Sequence, residues 1–304
     1  MSIVQDIRTA FSRRDNALMQ LLLLNIIVFA LVVLLEAVTF LSQTFEVRMQ
    51  VMRQLEMSAN LSVLLRHPWT VLTYAFTHKG FFHILFNMLN LYWFGQLLRE
   101  YLGDRRFVSI YILGALAGAA VFLLAYNLIP VLQPAAAAGQ PVLGASGAVT
   151  AIIVAAATLL PDYTFMLILI GPVKIKWIAV ALVLISLAGI NGGNTGGEIV
   201  HLGGALLGFL FIKQLQAGRD MGRPVQAVGN WFSNLAARRP AMRASTTRRP
   251  EPVAAAQASG GKKATAAGQA VQEEVDLILD KISRSGYESL SKEEKQKLFR
   301  ASQQ

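Results

Sequence analysis

The chain has 304 residues, 54% of them hydrophobic and 15% charged, with a formal net charge of +10 and no cysteine; its mean hydropathy is +0.47. A soluble domain of this length carries about 25% charged residues, so the deficit, concentrated in long apolar runs, points to an integral membrane protein. The missing cysteine excludes disulfides, thiolate catalysis and Cys-ligated metals, and the basic residues flank the apolar runs and crowd roughly the last ninety positions, a pattern that suits anionic lipid headgroups and not nucleic acid.

Residues 1–16 are a basic N-terminus holding Arg8, Arg13 and Arg14. The apolar run Ala17–Val38 exceeds a signal-peptide core and is followed by no A-x-A-like site, so it reads as an anchor that is retained. Further stretches at Phe81–Leu98, Phe107–Ile129, Ala145–Leu160, Trp177–Ile190 and Ile199–Leu215 approach the ~20 residues needed to span a bilayer. The fourth and fifth of these six are short, which a bundle tolerates where a helix end opens onto a water-filled cavity. Pro134–Gly144 is apolar but punctuated by Pro and Gly, and is expected to be a loop dipping to membrane depth. Tyr163–Ile170, closed by Gly171-Pro172, is too short to span and reads as a buried or interfacial connection.

Lysine and arginine set the orientation. With the N-terminus inside, the inner segments hold Arg99, Arg105 and Arg106, then Lys174 and Lys176, while the outer loops around 130–144 and 191–198 carry neither residue type. Only the long 39–80 segment dissents. N-in, C-in follows, and a bacterial cytoplasmic membrane is the expected setting. The fold class is all-α, a six-transmembrane-helix bundle at 17–216 with a basic flexible tail. Residues 217–270, rich in Ala, Arg, Gly and Pro, read as a disordered linker. Residues 271–304 read as a small helical module: Val271–Arg284 has helical spacing, and Ser291-Lys-Glu-Glu294 is a capping box. Two such helices make too small a core to stand without a protein partner.

Unusual polar residues interrupt the apolar helices. His83 and Asn87 lie four apart on one face of the second, Ser146 opens the fourth, and His201 lies near the start of the sixth. All three helices run from outside to inside, so their starts share one depth. Polar groups inside a membrane are costly and mark function. A serine becomes a useful nucleophile when a base accepts its proton, and a neutral imidazole is such a base. His83, Asn87 and the backbone amide of Ser146 at a helix N-terminus supply donors for a tetrahedral oxyanion.

Read in order, Pro68-Trp69, Phe76-Thr-His78, His83-Ile-Leu-Phe-Asn87, Gly95, Glu100, Gly103, Gly144-Ala-Ser146-Gly147 and His201-Leu-Gly-Gly204-Ala-Leu-Leu-Gly208 resemble the rhomboid family of intramembrane serine proteases. The resemblance runs from about Pro68 to Gly208. It implies a serine endopeptidase with Ser146 as nucleophile and His201 as general base of a dyad without an acidic member. It further implies His83 and Asn87 at the oxyanion hole, a structural His78, no cofactor or metal, and transmembrane protein substrates. Gly204 and Gly208 would let the sixth helix approach the fourth. Two positions depart from the family pattern: Thr150 stands where an aromatic residue often follows the serine by one turn, and no Trp-Arg pair occurs around Arg48 and Arg53.

Plainer readings compete at several positions. Gly144-Ala-Ser-Gly147 alone suits tight helix packing, and Gly114 with Gly118 suits packing within the chain. Glu198, one turn before His201, reads as a solvated residue of the outer loop, not as a triad acid. Lys174 and Lys176 read as interfacial anchors, and His78 as a loop-holding hydrogen-bond partner. A catalytically inactive relative that binds membrane proteins is the rival to the protease, and a small transporter is a third class.

Overall fold

The structure is a computed structural model and describes residues 16–167 and 170–236, together with 278, 281, 290, 291, 293 and 294. Helix dominates it. Helix α1 (Ala17–Leu41) is apolar around its whole circumference, and Leu31, Leu34 and Leu41 are exposed on it, as for a helix whose solvent is lipid. Helix α2 (Phe45–Leu55) follows, then strand β1 (Met57–Ser58), helix α3 (Leu61–Arg66) and helix α4 (Thr70–Thr73), which runs into a 3₁₀ turn at Tyr74–Phe76. Asn60 caps α3, its Oδ1 accepting from the Ser62 and Val63 amides at 2.9 and 3.3 Å.

Helix α5 (Phe81–Leu128) is continuous in hydrogen bonding but broken at Gly103, whose φ of 75° and ψ of 167° are not helical. A side chain there would meet a conformation reserved almost wholly for glycine. The break divides α5 into halves, 81–102 and 104–128, matching the two separate apolar stretches of the sequence. The segment expected as a loop dipping to membrane depth before Ser146 holds regular elements despite its Pro and Gly content. It contains helix α6 (Gln133–Ala137) and strand β2 (Pro141–Val142), and β2 pairs antiparallel with β1 through Met57 and Val142.

Helix α7 (Ser146–Leu159) is buried at every position from Gly147 to Ala157. It is the core of the bundle, packed against α5 and against helix α9 (Thr195–Gln216). Between them in the chain, the connection expected at Tyr163–Ile170 forms a hairpin of strands β3 (Thr164–Leu167) and β4 (Gly171–Lys174), followed by helix α8 (Ile175–Gly189). Asp162 at the base of this hairpin accepts from Lys174 Nζ at 2.9 Å and Lys176 Nζ at 2.8 Å. These two hydrogen bonds hold its carboxyl down to about pKa 2. Among the described residues, α1, α5 and α9 are long and apolar enough to cross a membrane, and α7 and α8 are shorter apolar helices. The chain is an integral membrane protein.

Small residues set the helix spacing. A Cβ at Gly204 would fall on the carbonyl oxygen of Gly147, and one at Gly208 on that of Ala151. Gly114 faces Ala151, with 2.5 Å left for a Cβ, and Gly118 faces Val200 at 2.8 Å, so the Gly114/Gly118 pair packs inside the chain. Buried polar side chains tie the outer elements to this core. Asn25 Nδ2 donates to Tyr111 Oη at 3.2 Å, and Tyr111 donates to the Ala75 carbonyl at 3.0 Å.

The expected disordered linker does not start at 217. Helix α10 (Arg223–Ala236) occupies its first part, because Asp220 accepts from Arg106 Nε at 3.0 Å and from the Gly222 amide at 2.8 Å, anchoring the turn after α9. Burial works to raise the Asp220 pKa, but these bonds outweigh it and hold the carboxyl below its ordinary value. The rest of the linker, residues 237–270, lies outside the described residues, as do residues 1–15 and most of the helix expected at Val271–Arg284. Residues 241–304 form a separate unit. In it the capping box is present: the Glu294 amide donates to Ser291 Oγ at 3.2 Å, and the Ser291 amide donates to Glu294 Oε2 at 2.7 Å.

Candidate active site

Ser146 is the first residue of α7, and it is there because the preceding Gly144 turns the chain with φ 120°. A side chain at Gly144 would be strained by that φ, and its Cβ would lie 2.8 Å from His83 Nε2. Glycine therefore serves twice, for the turn and for the approach of the imidazole. Two hydrogen bonds fix the strand that leads into the serine. The Gly144 amide donates to the Tyr74 carbonyl at 2.9 Å, and the Ala145 amide donates to His78 Nε2 at 3.3 Å. His78 thus has the loop-holding role expected of it. Among the described residues no group of three or more His, Cys, Asp or Glu is placed to hold a metal.

His83 lies in the first turn of α5, and Asn87 one turn further on. Asn87 Nδ2 donates within its own helix, to the His83 carbonyl at 2.8 Å. Both residues, with Ser146 and His201, line one cavity of about 400 Å³. Thr150, Leu182 and Asn194 also face it, so four helices or their ends contribute to its wall. The four site residues expected from sequence therefore line one cavity, although the three segments that carry them lie far apart in the chain. No hydrogen bond joins Ser146 to His201, a common state of sites that tighten when substrate arrives. At a helix start the first backbone N–H groups lack intrahelical acceptors. Those of Ser146 and Gly147 therefore add a positive pole to the serine end of α7.

His201 sits in the second turn of α9. Its Nδ1 lies 3.1 Å from Ser186 Oγ on α8 and 3.2 Å from Glu198 Oε2 on its own helix. The placement of Glu198 corrects the expectation of a solvated loop residue. Helix α9 begins at Thr195, four residues before the apolar stretch does, so Glu198 is in its first turn and its side chain is only 17% exposed. The three-residue spacing to His201 puts both on one face, a signal available in the sequence but hidden by the late helix start. Ser186 is marked in the sequence only as a lone serine in an otherwise apolar stretch. Lys174 and Lys176 stay outside this site, paired with Asp162.

The sequence is similar to those of known proteins. RHOMBOID-like protein 12, mitochondrial, of Arabidopsis thaliana is 30% identical over 158 residues, 49% of this chain and 47% of that protein. Rhomboid protein 1, mitochondrial, of Saccharomyces cerevisiae is 35% identical over 165 residues, 52% and 45%. Rhomboid-like protein 16, chloroplastic, of Arabidopsis thaliana is 30% identical over 162 residues, 49% and 50%. The chain spans about half the length of the curated relatives it matches. Their names place them in mitochondria or chloroplasts, which lends nothing to a bacterial cytoplasmic membrane. Residues 267–304 match a family of unknown function (DUF6576). Residues 65–216, half of the chain and all of α5 to α9, match the family model described as the Rhomboid domain, and with it this chain belongs to the rhomboid family.

Proposed function

We propose that the chain is an intramembrane serine endopeptidase, which hydrolyses peptide bonds in or near transmembrane segments of other membrane proteins. One observation carries this reading: Ser146, His201, His83 and Asn87, from α5, α7 and α9, line a single cavity of about 400 Å³ inside the Rhomboid domain. Ser146 Oγ attacks the scissile carbonyl carbon while its proton passes to His201 Nε2. The oxyanion forms opposite His83, Asn87 and the amides at the start of α7. His201 then returns the proton to the leaving amine, and water resolves the acyl-enzyme by the same route.

The membrane topology belongs to the same proposal. The two halves of α5 count as separate spans, and α7 and α8 cross as short helices inside the bundle. That gives six spans with both termini in the cytoplasm and the cavity in the outer half of the bilayer. A substrate helix must unwind there, since a hydrogen-bonded helix shelters its carbonyls. Helix-destabilising, small residues near the scissile bond follow. The 271–304 module is proposed as a contact for a protein partner.

The rival is a catalytically inactive scaffold that binds membrane proteins. It draws on the missing hydrogen bond between Ser146 and His201. A fluorophosphonate probe separates the two on the full chain in detergent. The protease reading expects covalent labelling that Ser146→Ala abolishes; equal labelling of both forms, or none of either, favours the scaffold.

A further inference from the structure

The scheme above uses His201 Nε2 and leaves its other ring nitrogen idle. That nitrogen is not idle in the structure. Glu198 Oε2 lies 3.2 Å from Nδ1 and Ser186 Oγ lies 3.1 Å from it. The arrangement is shielded from solvent: Ser186 is 2% exposed, and the Glu198 and His201 side chains are 17% and 20% exposed. It is also built into the contact between α8 and α9. A Cβ at Gly189 of α8 would lie 3.1 Å from Glu198 Cγ and Cδ, so a glycine leaves the space that the carboxylate fills.

An ionised carboxylate has no proton to give. Nδ1 can hydrogen-bond to Glu198 only by donating, so its proton sits on Nδ1 and the lone pair is left on Nε2. Nε2 is the nitrogen available to the cavity that Ser146 shares. We infer that Glu198, assisted by Ser186, is a positioning residue for His201, so that the site works as a Ser146–His201–Glu198 triad and not as a dyad. The inference rests on the hydrolytic reading of Ser146 and His201.

During attack the Ser146 proton moves to Nε2 as the Oγ–C bond forms, and the imidazolium then holds a proton on each nitrogen. The Nδ1 proton stays on His201 throughout, and the Nε2 proton leaves with the amine as the C–N bond breaks. Glu198 remains a carboxylate. Its charge stabilises the imidazolium in surroundings of low dielectric. Across the cavity, His83 of α5 is the other ionisable side chain among the described residues that line it. A positive His83 would oppose the imidazolium, which makes a negative partner on the far side of His201 more valuable. Thr150 on α7, in place of an aromatic wall, leaves the ring to be held from its Nδ1 edge.

The test uses the full chain in detergent micelles with a single-helix transmembrane substrate, comparing wild type, Glu198→Gln and Ser186→Ala. Glutamine keeps the volume but presents an amide that can donate to Nδ1 and so favour the wrong tautomer. Expected for Glu198→Gln is a kcat loss of about 10²–10³-fold with KM within about threefold. Ser186→Ala, which leaves the carboxylate in place, loses less. ¹⁵N-histidine NMR of the uncleaved wild-type protein, with His201 assigned by its substitution, is expected to report the Nδ1–H tautomer and a mixed population in Glu198→Gln. Wild-type kcat in Glu198→Gln while Ser146→Ala is dead overturns the inference and leaves the hydrolytic reading standing. A wild-type protein without Ser146-dependent activity overturns that reading, and an Nε2–H signal from wild-type His201 overturns the inference whether or not any variant folds.

Discussion

A serine hydroxyl at the start of a buried helix differs from one in water because each neighbour is fixed before reaction begins. The backbone just before Ser146 is held by the Gly144 turn, by the Gly144 amide on the Tyr74 carbonyl and by the Ala145 amide on His78 Nε2, which in the proposed mechanism lowers the ordering cost of attack. In that mechanism, replacing Ser146 or its base removes the chemistry itself. Ser146→Ala and His201→Ala are each expected to lower kcat by about 10⁴-fold or more. His83→Ala and Asn87→Ala, which in that mechanism remove oxyanion donors, are expected to cost about 10²–10³-fold each. Steady-state cleavage of a model transmembrane substrate measures all four. These residues were legible in the sequence because imidazole, amide and hydroxyl stand out in apolar helices. Glu198 was misplaced because hydropathy marks where a helix becomes apolar, at Ile199, and not where its hydrogen bonds begin, at Thr195.

At the scale of elements, backbone proximity governs the bundle. The Gly204 and Gly208 faces of α9 rest on carbonyl oxygens of Gly147 and Ala151, and a methyl group has no place there. Gly204→Ala is expected to destabilise the protein by about 1–3 kcal/mol and to push His201 away from Ser146. Gly229→Ala in α10, where nothing lies within 4 Å of a new Cβ, is expected to be neutral or stabilising by up to about 1 kcal/mol. Thermal unfolding in detergent compares them. Gly103→Ala puts a side chain at φ 75° and is expected to cost about 1–3 kcal/mol.

The 163–174 hairpin makes a different prediction, governed by pH. Asp162 ionises near pKa 2 because Lys176 and Lys174 hydrogen-bond to its carboxylate. Its folded value lies below its unfolded one, so the contribution is complete above the ordinary carboxylate range and is lost as pH falls toward about 2. A carboxyl NMR titration of Asp162 that midpoints near 4 contradicts this. The hairpin itself was not read from the sequence, since an eight-residue apolar run closed by Gly-Pro gives length without pairing partners. The α6 and β2 ordering before Ser146 escaped notice for a related reason. Its stability comes from pairing with Met57 and Ser58, more than eighty residues away.

For the whole molecule, composition and apolar runs were enough to indicate a membrane protein of mainly helical build, and the order of motifs from Pro68 to Gly208 was enough to indicate the rhomboid family. Less legible was helix α10 after α9, in front of which Asp220 accepts from Arg106. Those two residues are 114 positions apart, and no local pattern announces their pairing. In the module at 271–304 the described residues include the capping box of Ser291 and Glu294.

Cleavage in proteoliposomes tests the central claim most directly. Purified full-length wild type, Ser146→Ala and His201→Ala are reconstituted with one tagged single-helix substrate, and the cut fragment is located by mass spectrometry. The account predicts one cut in or beside the transmembrane segment with wild type, and none with either variant. Cleavage that persists in Ser146→Ala, or a folded wild type that leaves unwound substrate helices intact, contradicts it.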